Sequence, residues 1–164
     1  MIHVVVQDLA LTQADAVMRP ADECLGAMTP SISRLDEQAG PRFAEFRRLT
    51  NPLKAGAAVV TAGGDLAAPF VLHVVIRDAD KAVGPDVVRR ALVSAWQRAT
   101  DWELGRIAAP LIGAGVGQLS LAEAATLMAE TFPRGSECYP MELQIVVERD
   151  EDRELVEAIV RRIA

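Results

Sequence analysis

Three glycines, Gly113, Gly115 and Gly117, alternate with single residues in the run A-P-L-I-G-A-G-V-G-Q-L-S at positions 109–120. Glycine reaches φ > 0 without strain and lets backbone N–H groups approach a ligand with no Cβ in the way. Successive N–H groups in such a turn make a concave nest for an anion such as phosphate. The same spacing also serves a plain tight turn, so the flanks carry the argument. Residues 107–112 form an apolar run that contains a strand, while Ser120 and Glu123 downstream have the spacing of a capping box. Strand, glycine loop and helix in that order is where an open α/β sheet holds a ligand, beyond the carboxyl ends of its strands. The capping box occupies the first N–H groups of the helix and puts a carboxylate beside them. An anion would therefore rest on loop amides and not on the bare helix end.

Other residues that invite chemistry are better read as structure. His73 sits inside the apolar run F-V-L-H-V-V-I and reads as a hydrogen-bonded core histidine. Cys24 and Cys138 are far apart, with no CxxC or metal-ligand spacing, and Cys24 reads as a small apolar filler. No metal site and no cofactor are expected. The loop reads G-x-G-x-G, which is not the dinucleotide fingerprint G-x-G-x-x-G, and no G-x-x-x-x-G-K is present.

The elements that must position the loop follow from composition and pattern. The chain has 164 residues, enough for one domain over 1–164 with a sizeable core. Half of it is apolar but only 4% is aromatic, so the core is aliphatic, as suits helices packed on a sheet. The net charge of −6 and the lack of a basic run exclude a nucleic-acid polymer as partner. No apolar run approaches the roughly 20 residues of a membrane span, and the cysteine usage makes a reducing cytoplasm the expectation.

Ile2–Val6 reads as a buried strand with Asp8 at its carboxyl end. Residues 16–18 read as a short strand ended by Arg19-Pro20, because proline interrupts a ladder. Ser31 or Ser33 is positioned to cap a helix running toward Glu45, with Ile32, Leu35, Phe43 and Phe46 inward, broken in the middle at Ala39-Gly40-Pro41. Strands follow at 57–61 and 70–76, then a helix opened by Gly84-Pro85-Asp86, the strand 106–110, the helix after Ser120, a strand at 141–147 and a last helix from Asp150. This alternation gives an α/β class with a mixed sheet and helices on both faces.

The order of motifs resembles the macro domain family over nearly the whole chain. Three pieces carry the resemblance: the strand ending at Asp8 with Ala14-Asp15-Ala16-Val17 after it, residues 56–76, and above all residues 109–119. The resemblance implies a three-layer α/β/α sandwich with a mixed central sheet. It implies a small-molecule partner, ADP-ribose or a related diphosphate nucleoside, free or carried on an ADP-ribosylated protein. It also implies residue roles. Asp8 would accept from the adenine amino group and Leu9 would offer its backbone N–H to the ring. Ile112, Gly113, Ala114, Gly115, Val116 and Gly117 would wrap the diphosphate and distal ribose, with Val116 against the ligand.

The first ligand loop departs from the family pattern. Where the family has V-N-x-A-N, Arg19 and Asp22 replace the two asparagines, and the following glycine-rich stretch is reduced to Gly26-Ala27-Met28-Thr29-Pro30-Ser31. Met28 and Thr29 add side chains and Pro30 removes an N–H. Arg19 is either a bidentate phosphate partner at the mouth of the site or a solvated surface arginine. Arg149, near the adenine-stacking position, can offer its guanidinium plane in place of an aromatic ring. The reading is therefore a nucleotide-binding module. The alternatives are an ADP-ribosyl or O-acetyl-ADP-ribose hydrolase using Arg19 and Asp22 as non-standard catalytic residues, or a ligand-free scaffold whose cleft is filled by Met28 and its neighbours.

Overall fold

The structure, a computed structural model, describes residues 1–79, 82–115, 119–135 and 137–163. Among them six strands form one sheet: β1 (Ile2–Val6), β2 (Ala16–Asp22), β3 (Ala58–Ala62), β4 (Phe70–Arg77), β5 (Arg106–Ala109) and β6 (Glu142–Val147), in spatial order β1-β6-β5-β2-β4-β3. β3 runs antiparallel to β4, and every other neighbouring pair is parallel. The carboxyl ends of β1, β6, β5, β2 and β4 therefore emerge along one edge. Every ligand-facing residue inferred above was expected at that edge.

Helices α1 (Pro30–Gln38) and α2 (Phe43–Phe46) cover one face; α3 (Pro85–Asp101), α4 (Leu121–Thr131) and α5 (Asp150–Ile163) cover the other. The alternation along β4 shows why. Leu72, Val74 and Ile76 join the core cluster with Val88, Leu92, Ala125, Met128 and Val156 of α3, α4 and α5. Val71, on the opposite face, joins Ile32, Leu35 and Phe43 of α1 and α2. A strand buried on both faces reads as a continuous apolar run, because each face needs its own hydrophobic set. The result is a three-layer α/β/α sandwich.

Helix termini follow the local signals closely. Ser120 Oγ accepts from Glu123 N at 3.1 Å and Glu123 Oε1 accepts from Ser120 N at 3.1 Å, closing the capping box. Asp150, Glu151 and Asp152 open α5 and Arg161 and Arg162 close it, each sign opposing the local end of the helix dipole.

Three expectations need correction. Ile2–Val6 is a strand, but it lies at the sheet edge, where Val6 remains 39% exposed. Strand β2 does not stop at Arg19-Pro20 but continues to Asp22. It pairs with β5 only through Ala16 and Val17, so beyond Val17 one flank carries no ladder for the proline nitrogen to break. Helix α1 is capped by neither Ser31 nor Ser33. Thr29, extended at φ −139°, is the N-cap, and its Oγ1 accepts from Ile32 N at 3.3 Å.

Candidate functional site

A hollow at the carboxyl edge has a volume of about 550 Å³ and is walled by Asp8, Leu9, Ile32, Leu35, Pro110 and Val146, with Ser31, Arg34, Gln38 and Glu148 at its rim. Asp8 is held in place by its neighbours. Its Oδ1 accepts from Ala10 N at 3.0 Å, which caps a short 3-10 turn at Leu9–Leu11. Its Oδ2 has no partner among the described residues. The acid thus serves as both a turn cap and an open acceptor beside the hollow. Across the mouth, Ser31 Oγ donates to Glu148 Oε1 at 3.2 Å and Arg34 lies 3.9 Å from the same oxygen.

The glycine loop begins at this edge, three residues beyond Pro110. Gly113 and Gly115 have φ of +95° and +84°. The φ at Gly113 calls for glycine, and a Cβ there would also lie 2.6 Å from Leu119 Cδ1, so that side chain would have to shift. Ala114 N is already bonded to Leu111 O at 3.2 Å, and Ile112 is fully buried in the core. Neither Gly113, Ala114 nor Gly115 lines the hollow. On its side-chain side Gly115 faces Thr29, whose Cγ2 lies 3.7 Å from where a Cβ would stand. Val116 and Gly117 lie outside the described residues.

The family model of the Macro domain matches residues 32–128. This chain belongs to the macro domain family. An uncharacterized protein of Aeropyrum pernix is 33% identical over 131 residues, covering 78% of this chain and 69% of that one. An uncharacterized protein of Mycobacterium tuberculosis is 27% identical over 130 residues, and the match takes in 35% of its length. Among solved structures, a variant of the Oceanobacillus iheyensis macrodomain with ADPR superposes with a TM-score of 0.80 at 20% identity, covering 98% of this chain and 91% of that one. That likeness establishes the macro domain fold and leaves the chemistry to the residues of this chain.

Those residues overturn one expectation and give a second residue a structural partner set. Arg19 is neither at the mouth of the site nor on the surface. It is fully buried between β2 and α1, with Nε and Nη2 donating to Asp36 Oδ1 and Oδ2 at 2.8 and 2.6 Å. Strand register places it beside His73 of β4, and its Nη1 donates to His73 Nδ1 at 3.3 Å. His73 in turn meets Thr61 Oγ1 through Nε2 at 2.8 Å, and Thr61 Oγ1 donates to the Ala62 carbonyl. These partners select the neutral imidazole with its proton on Nε2. Burial, reinforced by the charges of Arg19 and Arg47, pushes the His73 pKa well below the usual histidine range. Phe43 stacks against the His73 ring at 5.8 Å between centroids, and the Arg47 guanidinium lies over the Phe43 ring, 5.0 Å from its centroid. Asp22, the second replaced asparagine, accepts from both Cys24 N and Gly26 N through Oδ1 at 2.9 and 2.8 Å. It closes a turn between β2 and the segment leading to α1.

Smaller corrections concern the rim. Arg149 does not line the hollow; it is turned onto the first turn of α5, where Asp152 accepts from its guanidinium at 3.1 and 3.2 Å. Cys24 is exposed rather than buried as filler. Met28, which was expected to plug the cleft in a ligand-free scaffold, packs against the main core. From sequence, Ile32 and Leu35 read as core positions and Ser31 as a helix cap, and neither these nor Arg34 and Gln38 were read as lining a site. Their spacing along α1 was the available signal, since 31, 34, 35 and 38 share one helical stripe. No group of His, Cys, Asp or Glu able to hold a metal occurs among the described residues, and no described helix is long and apolar enough to cross a membrane.

Proposed function

We propose that this macro domain binds ADP-ribose or a related diphosphate nucleoside, free or attached to a protein. The base would enter the hollow between Leu9, Ile32, Leu35 and Pro110, and its exocyclic amine would donate to Asp8 Oδ2. Amides of the glycine loop would take the diphosphate. The observation that carries this reading is Asp8. Its Oδ1 is fixed by a backbone amide while Oδ2 stays free beside an apolar-walled hollow. A positioned carboxylate of this kind selects an amine donor at about 1.5–3 kcal/mol. The reading gives no hydrolytic step to Arg19 or Asp22, because Arg19 is buried against Asp36 of α1 and Asp22 closes a turn after β2.

Titration calorimetry with ADP-ribose tests the proposal directly. Saturable binding is expected, together with a rise in the thermal midpoint as ligand is added. The absence of both would overturn it. Incubation with O-acetyl-ADP-ribose or ADP-ribosylated protein addresses the hydrolase alternative, and release of product would reinstate it.

A further inference from the structure

The hollow is lined by Ser31 and Ile32 at the start of α1 and by Pro110 before the glycine loop, but not by Gly113–Gly115; Thr29, two residues before Ser31, is the residue that meets Gly115. Thr29 Cγ2 lies 3.7 Å from the point a Gly115 Cβ would occupy. That gap admits a carbon-sized atom, and a tetrahedral phosphate is wider. The methyl group is also fixed in direction. Thr29 is the N-cap of α1, with Oγ1 accepting from Ile32 N at 3.3 Å and its carbonyl accepting from Ser33 N at 3.0 Å. Threonine is β-branched, so holding Oγ1 in the cap determines where Cγ2 points. The neighbours on either side do not share the role, since Met28 is packed into the core and Pro30 begins the helix.

We propose that Thr29 is a specificity-determining residue that limits the diphosphate end of the site. With its methyl against Gly115, Thr29 narrows the way from the hollow to the amides of the glycine loop. A longer diphosphate ligand must part Thr29 from Gly115, and doing so strains the cap of α1. Ligand length, and not only base identity, is therefore selected by this contact. The inference rests on the binding reading above and adds to it a residue that reading does not use.

Two variants separate the methyl from the cap. Thr29→Ser keeps the capping oxygen and removes Cγ2, and serine caps as well as threonine. Thr29→Val keeps the branched shape and removes the capping oxygen. Calorimetry with AMP and with ADP-ribose on the wild type and both variants reads the outcome. Thr29→Ser is expected to tighten ADP-ribose on the order of fivefold, the scale of relieving one overpacked methyl, and to leave AMP within about twofold. Thr29→Val is expected to lower the thermal midpoint with no gain for ADP-ribose. If Thr29→Ser leaves ADP-ribose unchanged or weakens it, or tightens AMP equally, the role of Thr29 is overturned while the binding reading stands. A wild-type chain that binds neither ligand overturns the binding reading itself, and this inference with it.

Discussion

Helix α1 separates two polar regions built from the same residue types. On its sheet side, Asp36 holds Arg19 by two short bonds; the arginine side chain is 0% exposed and the aspartate 11%. At the hollow rim, Arg34 and Glu148 are 64% and 73% exposed and 3.9 Å apart. The inner pair has no water to replace a lost partner, so it locks α1 to β2 and, through His73, to β4. The outer pair exchanges its partners with solvent at little cost. Burial alone turns one pairing into a structural clamp and leaves the other free to open for a ligand.

The sharpest way to break this contrast is Asp36→Ala, which strands a buried guanidinium. A loss of about 3–5 kcal/mol is expected from urea unfolding. The double variant Arg19→Met with Asp36→Leu should recover much of that loss, because an apolar pair removes the orphaned charge. Next in size is Asp8→Ala, which acts at the hollow. ADP-ribose affinity should fall roughly 10- to 100-fold by calorimetry, while stability changes by only about 1 kcal/mol through loss of the cap on the 3-10 turn.

A third test uses pH. His73 is neutral in the fold with a lowered pKa, first because of burial and then because of Arg19 and Arg47. In the unfolded chain it regains a value of about 6.5. Below about pH 6.5 the unfolded chain binds a proton that the native state does not, so the contribution of His73 is complete above that pH. It is lost as pH falls from there toward the lowered native value, at no more than about 1.4 kcal/mol per pH unit. Unfolding curves across this range should show a shallower acid slope in His73→Gln. The smallest effect is expected at the rim, where Arg34→Ala or Glu148→Gln should change stability by at most about 0.5 kcal/mol in the same assay.

Local patterns were legible wherever neighbours in sequence are also partners in space. The capping box at Ser120 and Glu123, the proline at the start of α3 and the charged ends of α5 needed no tertiary information. The break at residues 39–41 between α1 and α2 was visible for the same reason. The extent of β2 was not, because whether Pro20 interrupts a strand depends on how far β5 runs beside it. Thr29 was visible as a side chain added to the first loop, but not its place facing Gly115, 86 positions away along the chain.

The two strand-end aspartates show where sequence stops. Asp8 lies two residues beyond β1 and Asp22 is the last residue of β2, and each caps a turn through Oδ1. From the residues alone, the chain determined where most of its strands fall, the starts of α3, α4 and α5, its glycine loop and, by resemblance, its macro domain fold, all of which depend on residue type and short spacing. Only the tertiary structure decided that Asp8 looks into a hollow, that Asp22 closes its own loop and that Arg19 is buried against Asp36. Strand register and the path of α1 set those outcomes, and both arise from contacts between segments that the sequence lists far apart.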